Sequence, residues 1–125
     1  MSLSPPGSCH TVVLMNNLAI ALALQHPPST PSQPNPSATD QISSARSWAK
    51  KALALAGSIV PPERTEECDR GCAVATANLG DFAQMEGDLE EAKRRWEEGR
   101  SLSKAIGFQE GEQETKDKLK RLGGR

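Results

Sequence analysis

The side chains best suited to chemistry in this sequence are three cysteines and two histidines: Cys9, Cys68, Cys72, His10 and His26. Cys68 and Cys72 stand four apart, on one face if their segment is helical. Such a pair could be half of a zinc site or a redox couple. A structural zinc needs four ligands, and Cys9, His10 and His26 lie far off in sequence without a paired spacing. A disulfide between Cys68 and Cys72 is awkward on a regular helix. The expectation is a small buried residue at Cys72 and an incidental one at Cys68, since free cysteine is often simply buried. His10 and His26 flank one apolar stretch, with no Ser, Cys or carboxylate partner at a recognisable spacing. General-base or nucleophilic catalysis therefore has no constellation to use, and both read as surface histidines. No catalytic residue, metal or cofactor is expected, and the chain reads as a non-enzyme.

Length and composition narrow the elements that could hold any site. The chain has 125 residues, enough for one small domain. Aromatics are 3% and tyrosine is absent, which argues against an all-β fold. Alanine, leucine, glutamate and lysine suit helices instead. Fifteen basic and 16 acidic residues leave a net charge of -1. That balance excludes a general nucleic-acid or anionic-membrane binder, because both rely on a basic surface. Three cysteines do not make a disulfide scaffold in this length. The apolar run Thr11–Leu24 is too short to span a bilayer and holds Asn16-Asn17. No positive n-region precedes it and the N-terminus lacks Arg, so no targeting segment is visible and the chain reads as soluble.

Start and stop signals predict five helices. The first runs from about Cys9 to Gln25, capped by Ser8 and stopped by His26-Pro27-Pro28. A proline- and serine-rich stretch follows, of a composition that buries little and reads as disordered. The second helix is expected from Asp40, as its cap, to about Ile59, with Pro61-Pro62 as the stop. The third runs from Glu66 to Met85, the fourth from Leu89 to Ile106 behind a Gly87-Asp88 turn, and the fifth from Gln109 to Leu122. Gly107 reads as the residue that ends the fourth.

The back half carries a pattern. Asn78-Leu79-Gly80 leads to a Gly87-Asp88 turn, then Ala92, then Trp96. This resembles the tetratricopeptide (TPR) repeat, a helix-turn-helix unit of 34 residues. Counted from Ala73, Leu79 and Gly80 take the seventh and eighth positions, Ala92 the twentieth and Trp96 the twenty-fourth. Gly80 and Ala92 are small where two helices touch, and Leu79 and Trp96 fill the space beside them. Departures are Ala83 for an aromatic at position eleven, Gly99 for Ala at twenty-seven and Lys104 for the final Pro. A second copy stands split in the front half. Asn17-Leu18-Ala19 parallels Asn78-Leu79-Gly80, and Ala45, Ala49 and Ala52 follow at second-helix spacing. The proline- and serine-rich stretch splits this copy, and extra residues around Val60 to Glu67 separate the copies; both insertions fall in turns, where extra length is tolerated.

The predicted architecture is all-α: two TPR-type helix-turn-helix units, the first interrupted by a Pro/Ser loop, plus a C-terminal capping helix. The expected boundaries are a disordered lead-in at 1–8, unit one at 9–59 with a disordered insertion at 26–39, and a linker at 60–67. Unit two follows at 68–106, then the capping helix at 107–122 and a tail at 123–125. Residues expected to pack the repeats are Leu18, Ala19, Ala45, Ala52, Leu79, Gly80, Ala92 and Trp96. Trp48 and Trp96 read as inter-helix packing rather than ligand-stacking groups. The charges from Glu90 to Arg100 read as a solvated face with Trp96 turned inward.

From Cys9 to about Leu122 the chain also resembles fungal mitochondrial TPR proteins similar to the inner-membrane adaptor of the i-AAA protease. The segments Arg46–Leu53, Pro61–Gly80 and Gly87–Ala92 carry this likeness. It implies a mitochondrial, inner-membrane-associated adaptor in protein quality control. Members of that group carry an upstream anchor and further repeats, so a truncated form or fragment is expected, with any membrane contact indirect.

In such repeats, positions two, six, nine and thirteen of each first helix line a concave peptide-binding face. Here these are Val13, Asn17, Ile20 and Leu24, then Val74, Asn78, Asp81 and Met85. Asparagine at position six can pair with both N–H and C=O of an extended backbone. With no Lys or Arg among these residues, a clamp for C-terminal carboxylates is rejected. The expected partner is an extended or unfolded polypeptide segment, with no nucleic acid or small-molecule substrate. The alternative function is a structural end-cap, or self-association piece, of a longer TPR solenoid.

Overall fold

Ala45, Ala49, Ala52 and Ala56 recur at intervals of three and four residues, and each is fully buried. Their methyl groups form a narrow stripe against which two other helices can lie close. In the computed structural model, described over residues 8–24, 37–61 and 63–123, this stripe belongs to the second of five helices. They are α1 (Cys9–Leu24), α2 (Ser37–Ser58), α3 (Glu66–Met85), α4 (Leu89–Ala105) and α5 (Gln109–Gly123). No strand occurs among the described residues.

Each helix packs on the next, α1 and α5 also meet α3, and among the described residues α2 and α4 share no such packing. The helices form two successive hairpins, α1–α2 and α3–α4, and α5 packs on α4 and meets α3. The architecture is an all-α, TPR-like repeat fold. Among the described residues only α3 touches all four other helices, which explains why it buries residues on every side, including Ala73, Ala75, Asn78, Leu79, Gly80 and Phe82. By contrast α1 buries one stripe, Cys9, Val12, Asn16, Ala19 and Ala23.

The two well-described helix ends share one device. At the end of α3 the Gly87 N–H donates to the Gln84 carbonyl and the Asp88 N–H to the Ala83 carbonyl. At the end of α4 the Gly107 N–H donates to Lys104 and the Phe108 N–H to Ser103. Both are Schellman motifs, and both glycines take positive φ, 84° and 71°. Asp88 then caps α4, accepting from the Glu91 N–H at 3.1 Å. Between the units, the Arg64 guanidinium donates to the Ala56 and Ile59 carbonyls at the end of α2 and pairs with Asp69 on α3.

Two expectations change. Asp40 does not cap α2, because the helix begins at Ser37, directly after Pro36, making residues 37–39 helical rather than part of the insertion. Proline disfavours helix in the residue before it but not after it. The remainder of the Pro/Ser segment, with His26, lies outside the described residues. The third helix, by contrast, runs from Glu66 to Met85 as its start and stop signals predict. Leu18 was expected to pack like its counterpart Leu79, yet it is 40% exposed while Leu79 is 3% exposed. Leu79 meets a preceding helix, packing with Ala45 and Ala49 of α2. No helix among the described residues precedes α1, so the same face of α1 meets none.

Packing inside the second unit gives two glycines opposite tolerances. A Cβ on Gly80 would lie 2.5 Å from Trp96 Cδ1 and 3.1 Å from the Ala92 carbonyl oxygen. A Cβ on Gly99 would meet its nearest neighbour, the Ala77 nitrogen, at 3.4 Å, an ordinary contact. Gly80→Ala is therefore expected to destabilise by about 1–3 kcal/mol through overpacking. Gly99→Ala should stabilise by up to about 1 kcal/mol through helix propensity. Urea unfolding of both variants checks the pair, and equal signs would contradict this packing.

Candidate functional site

The first-of-pair helices α1 and α3 lie side by side, and α5 takes the corresponding place beyond α3. One 34-residue period on from Ala73 falls at Gly107, just before α5, so α5 occupies the position of a third unit's first helix. That spacing could have signalled that α5 would border the groove. Val74 and Asn78 come together there, lining a notch of about 60 Å³ with Ser103, Phe108, Gly111, Glu114 and Thr115, among others.

Asn78 is only 8% exposed. Its Nδ2 is buried and has no hydrogen-bond partner among the described residues. A buried amide donor without a partner costs free energy that an incoming acceptor would recover.

Asp81, expected to face a partner, is already engaged. It accepts from Trp96 Nε1–H at 3.0 Å, and Lys118 Nζ approaches its two oxygens at 2.7 and 2.8 Å. Lys118 also pairs with Glu114 at 3.1 Å. One carboxylate thus ties α3 to α4 and α5. The expectation that this face has no basic residue changes too, because α5 brings Lys118 to it. That ammonium is flanked by two carboxylates, so it is not an open socket for a terminal carboxylate.

The α1 residues are less gathered. Val13 and Ile20 are half-buried and Asn17 is exposed. The asparagine that reaches α3 is its neighbour Asn16, whose Nδ2–H donates to the Gly71 carbonyl at 3.1 Å. Met85 is 55% exposed at the far end of α3, and the Leu24 side chain lies outside the described residues. Of the packing residues, Ala19, Ala45, Ala52, Leu79, Gly80, Ala92 and Trp96 are buried.

The cysteines depart from expectation. Cys68 forms a disulfide with Cys9, 59 residues away in sequence. The bridge is buried among Val12, Ala52, Ala56 and Ile59. It joins the first turn of α1 to the first turn of α3, and the Thr65 N–H donates to Cys9 Sγ at 3.4 Å. The free thiol is Cys72, half-buried. His10, beside the bridge, lies 3.9 Å from Glu67 on the surface. On α4, burial pushes the Glu91 carboxyl up, but hydrogen bonds from Arg94 and Arg95 prevail and hold it below the usual range. No described helix is long and apolar enough to cross a membrane.

Over 104 residues the chain is 31% identical to a TPR repeat-containing protein of Schizosaccharomyces pombe. Its all-α fold is TPR-like. The match covers 83% of this chain and 28% of that relative, so the chain spans well under half of the relative's length. No family model matches the chain, and no solved structure does.

Proposed function

We propose that the chain is a non-catalytic module that binds extended or unfolded polypeptide segments along the face built by α1, α3 and α5. The observation that carries this reading is the unpaired, buried Nδ2–H of Asn78 in the notch between α3 and α5. A backbone carbonyl of a bound segment would accept from it. Val13, Ile20, Val74 and Met85 would give the segment apolar contacts, and Asn17 a second amide. Leu24 belongs to the same set by its repeat position. The finer role, a mitochondrial adaptor presenting such segments to the inner-membrane i-AAA protease, rests on the resemblance of residues alone.

Asn78→Ala is expected to weaken binding of an unfolded-protein peptide by about 1–3 kcal/mol, the cost of an unmade buried hydrogen bond. Helicity should be retained and the dependence on salt should be weak. Peptide titration against the wild type and Asn78→Ala checks this, and equal affinity would move the site elsewhere.

A second reading has its own observation. Leu14 is 54% exposed and Leu18 40%. Their counterparts one repeat later, Ala75 and Leu79, are buried in clusters that include alanines of α2. In this reading the outer face of α1 receives a further helix, and the chain extends a longer solenoid or associates with itself. Sedimentation over a concentration series separates the two: association lost in Leu14→Glu/Leu18→Glu, without peptide affinity, favours the second.

A further inference from the structure

Between Gln41 and Pro62 the chain carries Arg46, Lys50 and Lys51 and no acidic residue. Burial of the alanine stripe decides where these charges point. With Ala45, Ala49, Ala52 and Ala56 turned inward, Ser43, Ser47, Lys50, Lys51 and Ala54 stand exposed on the other side of α2. Together with Arg46 they line an open groove of about 400 Å³. A second groove of about 250 Å³ shares Arg46 and Lys50 and leads to Glu86, Asp88, Glu91 and Arg95.

The two grooves differ in charge. In the second, Arg46 pairs with Glu86 and Arg95 with Glu91. In the first, neither Lys50 nor Lys51 has an ion-pair partner among the described residues. Lys51 is held over the half-buried Trp48 ring, 4.6 Å from its centroid, an attraction that fixes the ammonium against α2. Ammonium and guanidinium groups donate and never accept, and serine hydroxyls can donate. Every polar group of the first groove therefore suits an acceptor, and none repels an anion.

We propose that this outer face of α2 is a docking surface for an acidic peptide segment of a partner protein. Ser43 to Ala54 spans about 16 Å at the helical rise, the length of about five residues of extended chain. Carboxylates along such a segment meet Lys50, Lys51 and the open side of Arg46, with Ser43 and Ser47 donating between them. Glu86, Asp88 and Glu91 set the limit of the site, because an acidic segment is repelled where they begin. The surface shares no lining residue with the Asn78 notch, so it does not rest on the function proposed for that notch.

The test uses the full chain and fluorescein-labelled hexaglutamate, read by fluorescence anisotropy at low salt. Saturable binding is expected, weakened at least tenfold in Lys50→Gln/Lys51→Gln, weakened as salt rises towards 150 mM, and unchanged in Asn78→Ala. Matched circular dichroism of the double variant shows that the exposed substitutions leave the helices intact. Absence of binding by the wild type, or equal binding by Lys50→Gln/Lys51→Gln, overturns the proposal. So does a single-stranded oligonucleotide of equal charge that binds as tightly, since that marks an indiscriminate polyanion surface.

Discussion

Trp96→Ala is expected to cost about 3–5 kcal/mol, the range for deleting a buried large aromatic. Trp96 is 1% exposed and is the largest of the fully buried side chains. Its ring fills the space that Gly80 leaves open, and its cluster with Ala83 and Ala92 receives Leu119 and Leu122 of α5. Deletion leaves a cavity that backbone on both sides cannot close. It also removes the indole N–H from Asp81, whose other partner is Lys118. Trp96 thus touches both the apolar cluster and the carboxylate that hold α5. Urea unfolding should show the loss, and hydrogen exchange should show α5 amides losing protection first. A milder cost, about 1–2 kcal/mol, is expected for Trp96→Phe, which keeps most of the ring and loses the donor. A cost under 1 kcal/mol for Trp96→Ala would mean that the second unit does not pack around this ring.

Removal of the Cys9–Cys68 bridge is expected to cost nearly as much. The bond closes a loop with a sequence separation of 59, for which the entropy removed from the unfolded chain amounts to about 4 kcal/mol. The other ties between α1 and the start of α3 are weaker: the exposed His10–Glu67 approach, Asn16 to the Gly71 carbonyl, and Val12 over Gly71, where a Cβ would come within 2.4 Å of Val12 Cγ1. Cys9→Ala/Cys68→Ala should therefore lower the urea midpoint strongly and lose protection of α1 amides before those of α3 and α4. Dithiothreitol should have the same effect on the wild type and none on the double variant. Cys72→Ala, which breaks no bond, should change little. An unchanged midpoint for the double variant under oxidising conditions would show that the bridge does not constrain the chain.

How far the amino acids alone reveal this protein depends on the range of the interaction that decides each feature. Helix ends are decided within a turn or so of chain. Gly87-Asp88 and Gly107 therefore announce the Schellman ends, and Pro61-Pro62 the stop of α2. The 61-residue offset between Leu18 and Leu79 discloses two copies of one unit, and the alanine spacing discloses the thin face of α2. Partner choice across helices is decided by rotation about the helix axes, and one residue turns a side chain by about 100°. Asn16 and Asn17 look equivalent as letters, yet the rotation of α1 sends Asn16 to the Gly71 carbonyl and leaves Asn17 in solvent. Asp81 likewise gains Lys118, 37 residues on, because α5 lies back along α3. The same dependence hides the disulfide. Cys68 has Cys72 one turn away, but a helix keeps that pair apart, while the packing of α1 on α3 brings Cys9 from the far end of the chain to Cys68. Leu18 and Leu79 occupy one repeat position and differ in exposure because α2 lies over only one of them. Local propensity and spacing write the helices and the repeat, while the neighbours each helix finds decide which side chains pack and which remain exposed.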